Sequence, residues 1–253
     1  MKNVATYFVV FLISSLVLSG CNDDPDDGDV PAPTIQTRIN LIPTYNGEPF
    51  EFQTPYTTQE GYTVEFSKLN VIMTDVRNGD DLLTRSMVYK FEDHPSLMWQ
   101  GEGDFTSFSD ITADIGVGAE LNNDDPSALP ADDPLNILNT DDMHWGWNTG
   151  YIFLMIEGRV DTTSAQSGEN IATFMYHVGS NDLLKSIELN NLNWNSVSDV
   201  LYETNLTVDI YKVFDGDTSD VDIKGERTSH TTPSQVALSD KIISNFASAM
   251  RAE

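Results

Sequence analysis

The sequence predicts a mainly β protein: an antiparallel β-sandwich, Greek-key or immunoglobulin-like, with long loops and a C-terminal α-helix. Three observations lead there. Short stretches alternate apolar and polar residues along much of the chain, Gly, Asn and Asp turns separate them, and only the C-terminal segment has clear helical spacing.

Residues 34–42, ending at Pro43, alternate as a half-buried strand does, and residues 62–66 and 69–73 repeat the pattern. Asn78-Gly79-Asp80-Asp81 reads as a turn into a strand over 86–91. Further strands are predicted over 111–117, 151–156, 171–178, 183–189 and 206–214. Thr232-Pro233-Ser234-Gln235 offers an N-cap with Pro at the first helical position and Gln at the third. Ile242, Ile243, Phe246, Ala247 and Met250 then recur at helical spacing, so this helix is expected to pack on the sheet.

The chain has 253 residues, 40% of them hydrophobic, enough for one large domain with a sizeable core. Charge is lopsided: 13 Lys and Arg face 40 Asp and Glu, a formal net charge of -27. Such a surface repels polyanions, which excludes nucleic acid as a partner.

The N-terminus reads as an address. Met1-Lys2-Asn3 supplies a positive start, and the apolar run over 4–18 is short for a bilayer span, so residues 1–20 are expected to be a signal peptide. Leu18-Ser19-Gly20-Cys21 resembles the bacterial lipobox, and Cys21 is the only cysteine. Cys21 is therefore the expected lipidation site, and disulfides, thiolate zinc sites and a catalytic Cys drop out. The acidic segment over 21–33, rich in Pro and Asp, is expected to be a flexible tether. Acidic residues behind a lipidated Cys fit either a surface-export signal or a spacer. The expected location is the outer membrane, on the periplasmic face or the cell surface. Residues 34–253 form the remaining domain.

The segment over 122–142 carries Asp124, Asp125, Asp132, Asp133, Asp141 and Asp142 among prolines and asparagines. Carboxylates at this density suit either calcium, a hard cation that takes six to eight oxygens, or a solvated acidic loop. The next residues are the most unusual in the chain. Met143-His144-Trp145-Gly146-Trp147 gathers two of the four tryptophans and one of the four histidines. Phe174-Met175-Tyr176-His177-Val178-Gly179 and Ser229-His230-Thr231 are the other two clusters. Imidazole suits copper and zinc, and copper binds tightest of the common divalent ions on a nitrogen site. His144, His177 and, third, His230 are therefore candidate ligands, with Asp141 or Asp142 placed to hold the second ring proton of His144.

Strand geometry sets a condition on that site. In a hairpin of 151–156 with 171–178, His177 falls opposite roughly Ile152, and His144 lies eight positions earlier. A straight strand would separate the two by some 25 Å, so the chain must bend near Gly146 or over Asn148-Thr149-Gly150. On an extended chain Trp145, Trp147 and Tyr151 share one face and His144 takes the other.

In order and spacing these motifs resemble the MbnP-like copper-binding family. The pieces are Phe66-Ser67-Lys68-Leu69 through Thr74-Asp75-Val76, Asp114-Ile115-Gly116-Val117, Met143-His144-Trp145-Gly146-Trp147 through Gly150-Tyr151-Ile152-Phe153, Glu157-Gly158, Tyr176-His177-Val178-Gly179, Val208-Asp209 with Phe214-Asp215-Gly216, and Asn245. The resemblance implies a secreted or surface β-rich protein that binds copper and in which a tryptophan is oxidised to kynurenine by a separate dihaem, peroxidase-like partner. It places Trp145 or Trp147 at the modified position and His144 and His177 among the ligands.

No nucleophile elbow, phosphate-binding glycine loop or HExxH motif is present in the sequence, so no turnover is expected. The leading expectation is a lipid-anchored copper-binding protein for copper acquisition or handling. A surface glycan-binding β-sandwich is the alternative, with Trp145, Trp147 and Tyr151 as stacking faces.

Overall fold

A computed structural model describes residues 33–140, 142–145, 150–163, 171–216 and 219–253. The signal peptide, Cys21 and nearly all of the tether lie outside the described residues, as do Asp141 and Trp147. Residues 34–253 form one compact unit.

The strands are β1 (Gln36–Tyr45), β2 (Glu48–Pro49), β3 (Tyr56–Thr57), β4 (Thr63–Asn78), β5 (Asp81–Lys90), β6 (Leu97–Glu102), β7 (Asp110–Ile115), β8 (Leu154–Asp161), β9 (Ile171–Val178), β10 (Lys185–Asn190), β11 (Asn195–Ser198), β12 (Leu201–Asp209), β13 (Thr228–Ser229) and β14 (Met250–Ala252). The α-helices are α1 (Ala119–Asn122), α2 (Ile137–Thr140), α3 (Tyr211–Phe214) and α4 (Val236–Ala249). One sheet runs β11-β12-β1-β2, with β14 on β12 and β6 on β1. The other runs β10-β7-β4-β8-β9-β13, with β3 and β5 also on β4. The architecture is mainly β and sandwich-like, with a C-terminal helix. Two pairs, β1 with β12 and β13 with β9, are parallel.

Strand β4 joins the two stretches predicted over 62–66 and 69–73 into one. Its register slips between Phe66 and Lys68, so Ser67 is a bulge that resets which side chains face the core. Val64, Phe66, Leu69 and Val71 turn toward the other sheet, and the Phe66 ring lies 5.7 Å from that of Tyr45 on β1. Lys68 and Asn70 take the outer face. The turn expected at Asn78-Gly79 is present, with Gly79 at φ 57 where L side chains are strained.

Two boundaries differ from expectation. The predicted strand over 206–214 stops at Asp209, whose Oδ1 accepts hydrogen bonds from the backbone N–H of Tyr211 and of Asn46 and turns the chain into α3. Helix α4 starts at Val236 rather than behind Thr232, because the Gln235 side chain is engaged with residues 228, 230 and 232 instead of capping. Ile242, Ile243 and Phe246 are fully buried as the spacing predicts, but Met250 leaves the helix and pairs with Val208.

Asn139 and Asp142 meet lysines on the outer face of the larger sheet, and Leu135 meets Tyr151. Lys68 Nζ meets Asp142 Oδ2 at 2.9 Å, Lys90 Nζ donates to the Asn139 carbonyl at 2.8 Å, and Tyr151 Oη donates to the Leu135 carbonyl at 2.6 Å. Burial pulls the Lys68 ammonium down, but the Asp142 and Glu92 carboxylates outweigh it and the group is held above its ordinary range.

Candidate metal site

Strands β8 and β9 pair antiparallel with His177 opposite Met155 and Met175 opposite Glu157. His177 thus lies three positions further along than the predicted partner, Ile152. These four side chains share the outer face, because directly opposed residues in an antiparallel pair project to the same side. Glu157 and His177 are diagonal neighbours, and Glu157 Oε1 sits 2.6 Å from His177 Nε2. Their side chains are 27% and 15% exposed, a half-buried pair. A neutral His177 that donates from Nε2 to this carboxylate keeps its Nδ1 lone pair for a ligand.

The second imidazole arrives through a parallel bridge. Strand β13 sets Thr228 beside Met175 and Ser229 beside Tyr176, so the next residue, His230, meets His177. The two rings lie 4.8 Å apart at 79°. Several side chains hold the backbone there. Thr231, at φ 54, donates from Oγ1 to the His177 carbonyl at 3.1 Å. The buried Ser229 hydroxyl meets that of Ser239 on α4 at 2.6 Å. Gln235 Oε1 accepts from the His230 N–H at 3.0 Å while its Nε2 donates to the Thr228 carbonyl at 3.2 Å. Burial and the adjacent His177 push the His230 pKa below its ordinary value, with Glu157 opposing. The pair therefore favours neutral imidazole at His230, the form that binds metal.

His144 stands in an antiparallel bridge with Tyr151, just ahead of β8, while the residues over which a bend was expected, 146–149, lie outside the described residues. Trp145 N–H donates to the Gly150 carbonyl at 3.0 Å, Ile152 N–H to the Met143 carbonyl at 2.9 Å, and His144 bridges Tyr151. The His144 ring meets the Tyr151 ring edge-on at 4.8 Å, and its pKa is lowered by burial. The Tyr151 carbonyl in turn presses on Gly179, two residues beyond His177, where an added Cβ would lie 2.2 Å from it. Trp145 is half-buried against the core. Tyr151 is fully buried, which removes it from any exposed stacking surface for glycans.

Four of the six carboxylates considered for calcium hold local structure, and Asp141 lies outside the described residues. Asp124 Oδ1 accepts from the Asp125 N–H, Asp125 Oδ1 caps Ser127, Asp133 Oδ1 accepts from the Leu135 N–H, and Asp142 pairs with Lys68. Among the described residues no group of three or more His, Cys, Asp or Glu is placed to hold a metal ion, and the acidic segment gives calcium no support. Two adjacent imidazoles, one oriented by a carboxylate, do fit copper: nitrogen donors with an outer-shell acceptor are its ordinary protein environment.

Sequence reasoning missed two contributors. Glu157 entered only as part of a Glu-Gly motif, although its place on the outer face beside His177 follows once the hairpin register is known. Gln235 was assigned to a helix cap and instead fixes the backbone at His230.

The fold and this site define a two-sheet β protein that presents an imidazole pair on the outer face of one sheet. A profile of the MbnP family matches residues 34–233, and the chain belongs to that family, which is associated with methanobactin and with copper. Among solved structures, MbnP from Methylosinus trichosporium is similar at 12% identity, covering 72% of this chain and 78% of that one with a TM-score of 0.44. No curated protein matches.

Proposed function

We propose that this protein is a non-enzymatic, lipid-anchored, extracytoplasmic copper-binding protein that acquires or handles copper outside the inner membrane. The observation that carries this reading is the His177–His230 ring pair with Glu157 on His177 Nε2. Neutral imidazoles rank among the best protein ligands for copper, and a ligating His whose second nitrogen is bonded to a carboxylate is fixed in ring orientation and tautomer. Family membership supports the choice of copper. The bridge of His144 to Tyr151, whose carbonyl adjoins Gly179 two residues beyond His177, supports keeping His144 and Trp145 in the proposal. In this proposal Trp145 or Trp147, oxidised to kynurenine by a dihaem partner, contributes beside the histidines. The lipobox at Cys21 carries the proposal of an outer-membrane anchor, on either face.

Equilibrium dialysis of the folded protein against copper tests the site. Wild type is expected to retain copper, and His177→Ala and His230→Ala are each expected to lose most of it. Retention in both variants at the wild-type level overturns the assignment. Intact-mass measurement of protein from its native host reports the tryptophan oxidation separately.

A further inference from the structure

Resting on the copper reading, we infer that the Met155 thioether is a third donor to the His177–His230 pair and makes the site select the soft, monovalent ion. The sheet register places four side chains in one row across β5, β4, β8 and β9, and His230, just past β13, extends it. Lys90 pairs with Asn70, Asn70 with Met155, Met155 with His177, and His230 meets His177 across the last gap. All project to the outer face. Exposure falls along the row: His230 is exposed, His177 is 15% exposed at the side chain, Met155 is 1% exposed and Asn70 is 0% exposed. The imidazole pair is thus the exposed end of the row, and Met155 is the buried residue next to it in register.

Distance favours Met155 over the other nearby methionine. Directly opposed residues have Cβ atoms roughly 4.5–5.5 Å apart, whereas Met175, two residues before His177 on the same strand, is separated by about 6.6 Å of rise. Met175 also stands opposite Glu157, on the side of His177 already engaged by the carboxylate. An unbranched thioether adapts its torsions to reach a neighbour and is polarizable.

The neighbour on the other side argues against Met155 as mere filling. Neither amide atom of the buried Asn70 has a hydrogen-bond partner among the described residues. A buried carboxamide left in that state is destabilising. The inner end of the row is therefore polar and unsatisfied, which suits a bound ion with its ligands better than an apolar plug. Thioether sulfur selects Cu(I), while imidazole alone serves Cu(II) and Zn(II) as well.

Met155→Leu in the full-length chain removes the sulfur while nearly conserving volume. Affinity is read for Cu(I) under anaerobic competition with a chromophoric chelator, and for Zn(II) in parallel. Cu(I) affinity is expected to fall by about tenfold or more and Zn(II) affinity to stay within about threefold, with Met175→Leu leaving both within about threefold. If Met155→Leu leaves Cu(I) affinity unchanged while His177→Ala abolishes it, the inference is overturned and the copper reading stands. If His177→Ala also leaves it unchanged, both fall. Copper K-edge absorption on the wild-type protein is independent of how the variants fold: a sulfur scatterer is expected, and a shell of nitrogen and oxygen alone contradicts the inference.

Discussion

Replacing Glu157 by Gln isolates the outer-shell contact from everything else at the site. The side chain keeps its length and can still accept through Oε1, but the charge 2.6 Å from His177 Nε2 is gone. Losing a carboxylate that orients a ligating His typically costs 10–100-fold in metal affinity, or roughly 1.4–2.7 kcal/mol. The Glu157 side chain is 27% exposed and that of His177 is 15% exposed, so solvent screens part of the interaction and the expected loss is at the low end, about tenfold. Global stability should change by less than about 1 kcal/mol, because the same half-exposed pair contributes little to folding. Competition titration with copper and urea denaturation on the same preparation read the two quantities. Affinity within about twofold of wild type, or a stability loss as large as the affinity loss, refutes the orienting role.

Three further outcomes are expected. Gly158→Ala places a Cβ 2.2 Å from the Glu65 carbonyl oxygen and 2.5 Å from Phe174 Cζ, so overpacking should lower stability by roughly 3 kcal/mol in denaturant titration, and a wild-type midpoint would contradict the packing. Burial lowers the His144 pKa, so the unfolded chain takes up the proton first as pH falls. The contribution is present above the unfolded value and lost below it, so melting temperature should fall between about pH 7.5 and 5.5 more steeply in wild type than in His144→Phe, and parallel curves would count against it. Gln235→Ala releases the His230 N–H and the Thr228 carbonyl, and should weaken copper binding several-fold with a small change in melting; unchanged binding would remove Gln235 as a positioning residue.

Strand identity was legible because alternation is a local property: residues 171–178 and the Asn78-Gly79 turn emerge as expected. Pairings between distant segments were not. The parallel β1–β12 pair joins strands from opposite ends of the domain, and no residue pattern in either announces the other. The bulge at Ser67 and the left-handed Asp75, at φ 52, shift side-chain parity inside β4, which alternation alone does not reveal. Asp209 ended a strand through a side-chain bond to the backbone two residues on, a signal that was present in the sequence but outweighed by the apolar run around it. At the site, His177 and His230 were both legible as candidates. Their contact was not, because it depends on a two-residue strand held by Thr231, Ser239 and Gln235. Strand geometry set a bend near Gly146 or over 148–150 as a condition for His144 to meet His177, and the pairing of His144 with Tyr151 was beyond what the spacing specifies.

The most direct test of the central claim is imidazole nitrogen NMR on 15N-labelled protein titrated anaerobically with Cu(I). Ring nitrogens of His177 and His230 are expected to shift together as the metal binds, with Nδ1 of His177 moving most and its Nε2 keeping the proton shared with Glu157. Spectra in which both rings keep their metal-free shifts while copper is bound would contradict the site.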